Sequence, residues 1–226
     1  MNRIAIIAAL PGELKPLVRG WQERGRNAWA GRIGDDEAIA IAGGMGAAAA
    51  ERAVERAFAE AKPNVLVSYG WAGALTCAVK PRHACAISEV IDAGSGERFV
   101  ADYPGGYRLI TLDHVARPDE KRGLAEKYQS VLADMEAATV ARMAAARQVA
   151  FYCFKGISDG YNDRLPDFNR FIDSKGEMRM AAFVAYAAVH PQYWSALQQL
   201  GENSRGAAKA LADLAREGLK QAQARS

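Results

Sequence analysis

The sequence is poor in cysteine and histidine, and neither residue type shows the spacing of a structural staple. Its cysteines, Cys77, Cys85 and Cys153, are three in number and lack paired spacing, which argues against a disulfide framework. No Cys-x-x-Cys motif or Cys/His group has the spacing of metal ligands. The three histidines are scattered, and we assign none of them to catalysis. We therefore expect reduced thiols, a cytoplasmic protein and no bound metal.

Long apolar runs and strong net charge are also missing. No uninterrupted apolar stretch is long enough to span a bilayer, and the alanine-rich residues 180–189 are expected to form a buried or interfacial helix. The apolar residues 1–10 are followed by charge rather than by a small-residue cleavage site, so we predict no signal peptide. Lys and Arg number 29 against 26 Asp and Glu, a net charge of +3. That balance is too even to favour nucleic-acid binding.

What remains is an ordinary soluble composition, with 50% hydrophobic and 24% charged residues in 226. This length suits one large domain over residues 1–226. Apolar runs typical of buried strands alternate with helical segments. Strands are predicted at residues 4–10, 38–42, 65–69, 83–90, 107–112, 131–135 and 149–154. Helices are predicted at residues 13–20, 47–61, 118–127 and 136–147, and from 177 to the end with breaks at 191 and near 201.

This alternation predicts a three-layer α/β/α fold around a mostly parallel, twisted central sheet. In such sheets the ligand lies beyond the carboxyl ends of the strands. The segments at those ends carry the main glycine turns and several isolated acids. They are residues 11–13, 43–46, 70–73, 134–136 and 155–159.

The same five segments resemble the nucleoside phosphorylase superfamily, and within it the methylthioadenosine/S-adenosylhomocysteine nucleosidases. The resemblance runs through most of residues 1 to about 175. Its motifs are Ile-Ile-Ala-Ala-Leu-Pro-Gly-Glu at 6–13, Gly-Gly-Met-Gly at 43–46, Gly-Trp-Ala-Gly at 70–73, Asp-Met-Glu-Ala at 134–137 and Ile-Ser-Asp at 157–159. Each motif alone is weak, whereas five in order at predicted strand ends favour this fold strongly.

The resemblance implies cleavage of a purine nucleoside, in which negative charge develops on the departing base. Asp159 matches the general acid that protonates the base, and Ser158 could orient it. Glu136 matches the residue that binds the ribose 2′ and 3′ hydroxyls, with Met135 against the sugar. Glu13 matches the residue that polarises the attacking water in the hydrolytic branch. Protonation and charge stabilisation suffice for this chemistry, so no cofactor is implied.

Further residues of the predicted site lie in the same motifs. Asp134, Gly44, Ala72 and Gly73 are assigned to substrate binding. Lys155, assigned to catalysis, stands where the nucleosidases carry Arg, and it keeps the charge without the bidentate geometry.

The match to the nucleosidases differs in two further places. Trp71 stands where the family usually has a small residue, near the water or phosphate pocket, and would fill volume or supply a stacking wall. The segment from about 93 to 132, which supplies part of the base and 5′-substituent pocket in the nucleosidases, is shorter here.

Structural roles are open for the same residues. Asp159 could be a helix N-cap or turn residue, Asp134 could cap the helix that Glu136 begins, and Glu13 could be a solvated first-turn acid. Residues 43–46 could serve only as a tight turn into a helix.

The C-terminal segments 190–200 and 207–214 are similar to the hopanoid-associated phosphorylases. That similarity implies removal of adenine from an adenosylated lipid. The ordinary interpretation is helices that pack on the sheet or at a dimer interface.

Hydrolysis of an adenosine-type nucleoside is the leading hypothesis, with a small-molecule nucleoside as partner and a homodimer as the family implies. Phosphorolysis, action on an adenosyl lipid, and a relative that binds nucleosides without turnover because Trp71 blocks the nucleophile remain open alternatives.

Overall fold

The computed structural model describes residues 1–173 and 176–223. In these residues the strands are β1 (Arg3–Ala8), β2 (Gln22–Glu23), β3 (Ala28–Ile33), β4 (Asp36–Ala42), β5 (Val65–Ala74), β6 (Ala84–Asp92), β7 (Arg98–Val100), β8 (Tyr107–Thr111), β9 (Leu132–Asp134) and β10 (Ala150–Asp159). The α-helices are α1 (Pro11–Leu14), α2 (Ala47–Ala61), α3 (Lys121–Tyr128), α4 (Ala137–Ala146), α5 (Met180–Ala188) and α6 (Trp194–Gln223). Two 3-10 helices cover Phe168–Phe171 and Pro191–Tyr193.

The centre of the sheet is parallel, in the order β4-β1-β5-β10. These strands are the continuous apolar runs of the sequence, and such runs suit strands that are covered on both faces. Beyond β10 the pairing continues through β6, β8 and β9 and returns to β5. Strand β5 is therefore one member of a closed ring of strands, together with β10, β6, β8 and β9.

Helices cover the two faces of this sheet, which confirms the predicted α/β/α layering. One face packs against α2 and α4, whose buried side chains are mostly alanine and valine. The other face packs against α1 and against α6 through Leu211, Ala215 and Leu219. Small residues on α2 and α4 let those helices approach the sheet closely.

Three details differ from the sequence-based expectation. The sheet is mixed, because β2 and β3 form an antiparallel extension that the sequence did not reveal, and β5–β9 and β6–β10 also pair antiparallel. The helix predicted at 13–20 is only α1 followed by turns. The break predicted near Gly201 is wrong, because α6 runs through it without interruption. Mid-helix glycine costs only about 1 kcal/mol, which the buried face of α6 offsets.

Helix α5 lies on the surface of the protein. None of its residues is buried, and Met180 and Val184 are 57% and 58% exposed. The sequence predicted a buried or interfacial helix here, and burial within the chain is wrong. No helix among the described residues has both the length and the apolar character needed to cross a membrane.

Candidate active site

A cavity of about 470 Å³ opens at the carboxyl ends of the central strands. Its volume lies within the range of small-molecule sites. The predicted site residues that line it are Glu13, Trp71, Ala72, Gly73, Asp134, Met135, Glu136, Ser158 and Asp159. Lys155 and Gly44 do not line it.

The strand register explains why distant acids meet here. Asp159, at the end of β10, pairs with Gly73 on β5, and Gly73 pairs in turn with Ala133 on β9. A Cβ atom at Gly73 would lie 3.1 Å from Asp159 Oδ2. The glycine therefore makes room for the carboxylate, and the next residues after Ala133 are the acidic segment 134–136.

Asp159 accepts one hydrogen bond on each oxygen. Ser158 Oγ donates to Oδ1 at 2.9 Å, as the sequence suggested, and Lys121 Nζ donates to Oδ2 at 2.8 Å. In the part of the chain that the structure describes, no backbone N–H donates to this carboxylate, so it does not act as a helix cap. Its side chain is 16% exposed and lines the cavity.

Glu13 is buried, with 3% of its surface exposed, so the alternative of a solvated acid is wrong. Oε2 accepts from the backbone N–H groups of Ala9 and Leu10 at 2.9 and 2.7 Å, and Oε1 accepts from that of Trp71 at 2.8 Å. A carboxylate has about four acceptor positions. Among the described residues, one position on Oε1 therefore has no protein donor. Burial raises the pKa of Glu13 above its ordinary value despite these hydrogen bonds, which makes the carboxylate a better proton acceptor.

The Trp71 indole is fixed as a wall of the cavity. Its Nε1 donates to the Ser204 carbonyl of α6 at 3.1 Å, and a Cβ at Gly12 would meet the ring edge at 3.2 Å. The ring is thus held between α1 and α6. The ring therefore takes up part of the cavity lining.

Glu136 faces the glycine turn that precedes α2. Its Oε1 accepts from the Gly46 N–H at 2.7 Å and its Oε2 from the Met135 N–H at 3.3 Å. Gly46 has φ of +84°, a conformation that favours glycine. Burial, and then the negative charge of Asp134, raise the pKa of Glu136 to about 8.

The turn 43–46 therefore does more than reverse the chain. Gly44, with φ of +106°, donates its N–H to the Ala9 carbonyl at 2.9 Å and anchors the turn to the end of β1. The predicted substrate-binding residue Gly44 is thus a structural part of the turn, whereas the neighbouring Met45 lines the cavity.

Lys155 lies beneath the cavity in a buried ion pair. Its Nζ contacts Asp134 Oδ2 at 2.8 Å and donates to Ser68 Oγ at 3.0 Å. Burial alone would lower the pKa of Lys155, but the charge of Asp134 more than offsets it and the pKa is raised. Asp134 also accepts from the Thr111 hydroxyl at 2.7 Å and from the first N–H of α4, that of Ala137, at 3.0 Å. Asp134 therefore caps the first N–H of α4, although the N-cap position itself is Glu136, and Lys155 contacts this cavity-lining carboxylate without lining the cavity itself.

Sequence reasoning missed the opposite wall of the cavity. Residues 114–121 and 163–169 form it, and Asn169 joins the two segments by accepting from the Val115 N–H at 2.7 Å and donating to its carbonyl at 3.0 Å. Lys121, the first residue of α3, belongs to this wall. No motif distinguishes it from the other lysines of a polar helix, so the sequence offered no signal for it.

No group of three or more His, Cys, Asp or Glu side chains within residues 1–173 and 176–223 is placed to hold a metal ion. The thiols of Cys85 and Cys153 are buried, and burial raises the pKa of each to about 12.

The family model described as the phosphorylase superfamily matches residues 3–118 and 94–189. The chain belongs to the phosphorylase superfamily. Membership confirms, at the level of the family, the prediction of an N-glycosidase or nucleoside phosphorylase. No curated protein sequence matches the chain significantly.

Solved structures share the superfamily fold over nearly the whole chain. Futalosine hydrolase of Helicobacter pylori has a TM-score of 0.72 at 13% identity, covering 97% of this chain and 98% of that one. The methylthioadenosine nucleosidase of the same organism, a mutant with 5′-methylthioadenosine in its active site, has a TM-score of 0.73 at 12% identity, covering 98% and 99%. S-adenosylhomocysteine nucleosidase of Streptococcus pyogenes has a TM-score of 0.71 at 17% identity, covering 97% of both chains.

Proposed function

We propose that this protein hydrolyses the N-glycosidic bond of an adenosine-type nucleoside and releases adenine. The observation that carries the proposal is the meeting of Glu13, Glu136 and Asp159 in one cavity at the carboxyl edge of the sheet. Cleavage of this bond needs a proton for the base, charge stabilisation for the ribose and an activated water. Three carboxyl groups with different surroundings can divide these tasks.

Each acid suits one task. Asp159 protonates the purine at N7, held in place by its hydrogen bonds from Ser158 and Lys121. Glu136 accepts from the ribose hydroxyls, and its ionised form, which becomes populated as pH approaches 8, stabilises the cationic sugar of the transition state. Glu13 uses its open acceptor position on Oε1 to orient water and take its proton. Met135, which lines the cavity beside Glu136, packs against the sugar.

Water is favoured over phosphate as the nucleophile. A phosphate placed beside the Glu13 carboxylate would meet a like charge in a buried setting. The basic side chains that line the cavity, among the described residues, come from the single segment 114–121. Lys121 is already paired with Asp159, and the Trp71 ring takes up part of the cavity lining.

The adenosine type of substrate is supported by the nucleosidases among the structural relatives, which are named for methylthioadenosine and S-adenosylhomocysteine. A second candidate is removal of adenine from an adenosyl-hopanoid lipid. It is favoured by the apolar side chains of the lining, which include Leu165, Phe168, Met178, Tyr193 and Leu200. Such a lining suits an apolar 5′-substituent, whether a methylthio group or a longer chain.

We also propose a homodimer in the cytoplasm. The exposed apolar side chains of α5 would be covered by a second copy of the chain. Cys77 is exposed with a free thiol, which suits a reducing compartment.

The experiment incubates the protein with 5′-methylthioadenosine, with and without phosphate, and measures adenine. We expect release that does not depend on phosphate. Release that requires phosphate rejects the hydrolytic proposal. Adenine released faster from adenosines with long 5′-alkylthio chains than from methylthioadenosine would favour the lipid substrate.

A further inference from the structure

Lys121 has an unusual environment for a lysine at the start of a helix. Its side chain is only 3% exposed, and its ammonium group forms an ion pair with Asp159 at 2.8 Å. It also donates to the Gly160 carbonyl at 2.9 Å. Burying a charged group costs free energy, so we expect a buried lysine to have a specific role.

The ammonium group is not saturated by these two contacts. It has three N–H donors, and within residues 1–173 and 176–223 only Asp159 and Gly160 accept from it. Lys121 also lines the cavity. Its third donor is therefore available to water or to a bound molecule.

The position of Lys121 relative to Asp159 is specific. Ser158 holds one oxygen of the carboxylate and Lys121 holds the other, so the side chain cannot rotate without losing a hydrogen bond. On the β5 side, a Cβ atom at Gly73 would lie 3.1 Å from Oδ2 and 3.2 Å from Oδ1 of Asp159, so the strand backbone approaches the carboxylate closely. The carboxylate is thus clamped from two different elements, β10 and α3.

We propose that Lys121 is a positioning residue that clamps Asp159 toward the departing base and stabilises the carboxylate that Asp159 becomes when it gives its proton to that base. This inference rests on the proposed function. Asp159 takes a proton from solvent before the reaction. As the C1′–N9 bond breaks, its electron pair goes to the purine and N7 takes that proton, which leaves the Asp159 carboxylate paired with the Lys121 ammonium. Water bonds to C1′ and gives its proton to Glu13. Asp159 then regains a proton from solvent, and Glu13 releases one, so that the cycle balances.

The test uses two leaving groups to distinguish a defect in protonation of the base from a structural defect of the whole site. The variants are Lys121→Gln, Lys121→Arg and, as a matched control, Lys127→Gln, an exposed lysine on the same helix. The substrates are 5′-methylthioadenosine, whose base must be protonated, and 4-nitrophenyl β-D-ribofuranoside, whose nitrophenolate leaves without a proton. Steady-state kcat and KM are measured for each.

We expect Lys121→Gln to lower kcat for methylthioadenosine by about 100-fold and to leave the nitrophenyl riboside within about threefold. Lys121→Arg should recover part of the lost kcat, and Lys127→Gln should leave kcat unchanged for both substrates. An equal loss on both substrates would show a merely structural lysine and overturn the proposal, as would no loss on either. A wild-type protein that cleaves neither riboside would instead refute the proposed function, and this inference would fall with it.

Discussion

The Glu13 carboxylate lies directly against the backbone of Gly70. A Cβ atom at this glycine would come within 2.8 Å of Glu13 Oε1 and 3.0 Å of its Cδ. The same glycine-bearing motif also makes room for Asp159 at Gly73. The two glycines of the Gly-Trp-Ala-Gly motif therefore let two carboxylates approach the backbone of β5 closely.

The first prediction follows from this contact. Gly70→Ala should displace Glu13 and lower kcat by about 100-fold, since a shift of about 1 Å at a reacting group has that effect. Steady-state kinetics on methylthioadenosine would measure it. Gly123→Ala, at a glycine with nothing within 4 Å of a built Cβ, is the control and should retain activity. Equal activity of the two variants would contradict the assigned role of Glu13.

Asp159→Asn tests whether the protein turns substrate over at all. The amide cannot supply the proton for the base, so kcat should fall by about 100- to 10,000-fold, while nucleoside binding measured by calorimetry changes little. Asp213→Asn, an exposed site on α6, is the control. If neither wild type nor variant releases adenine and both bind nucleoside equally, the catalytically inactive alternative is correct.

The core of the fold was predictable because the buried strands of a parallel sheet are continuous apolar runs in the sequence. The central strands and α2 appear in the sequence as apolar runs and a strong helix former. Strand β3 carries Trp29 and Arg32 among small residues and has no clear alternation, and strand β2 is only the polar pair Gln22–Glu23. The helix break predicted near Gly201 was wrong because helix propensity does not take account of the packing of α6 on the sheet.

The candidate site was predictable only where residues follow strand ends. Glu13, Glu136 and Asp159 satisfy that rule, and all three line the cavity. Lys121 begins α3 and Asn169 lies in a 3-10 helix, and the placement of both depends on tertiary contacts that no sequence spacing encodes. The pairing of Lys155 with Asp134 is likewise invisible in the sequence, because the two residues lie on separate strands.

That buried pair gives a stability prediction. Lys155→Met leaves the Asp134 carboxylate buried without its counter-charge, and should lower the free energy of unfolding by about 3–5 kcal/mol. Urea denaturation would measure the loss, with Lys220→Met on the exposed end of α6 as the control. The double variant Lys155→Met/Asp134→Asn should lose less than the two single changes combined, because the uncompensated charge is gone. Unchanged unfolding of Lys155→Met would show that the pair is not a structural element.

The exposed face of α5 gives a prediction about assembly. Met180 and Val184 are four residues apart and share one helix face. Val184→Glu should turn a dimer into a monomer in sedimentation velocity, because it places a charge in the covered surface. Gln198→Glu adds the same charge on an exposed position of α6 and should leave the dimer intact. A wild-type monomer at micromolar concentration would refute the proposed assembly.

The raised pKa of Glu136 links the site to stability. Its folded-state pKa is about 8, against about 4.3 in an unfolded chain. Below the lower value the group is protonated in both states and its contribution to stability is fully present. As pH rises toward 8, the unfolded state loses its proton first, so the folded state is progressively destabilised.

Glu136→Gln should remove this loss. The glutamine oxygen can still accept from Gly46, but the side chain carries no charge, so the variant should be more stable than wild type by an amount that grows from pH 5 to pH 8. We expect the free energy of unfolding at pH 8 to rise by about 1–2 kcal/mol, as is typical when strain at a functional site is removed. Each kcal/mol corresponds to about 2–4 °C in Tm. Glu126→Gln, an exposed acid on α3, is the control. The same change should lower kcat/KM at pH 8 at least about 10-fold, since an amide cannot ionise to stabilise the sugar cation by charge. A Tm difference that does not change with pH would mean that Glu136 is ionised in the folded protein over the whole range. That result would contradict the raised pKa of Glu136.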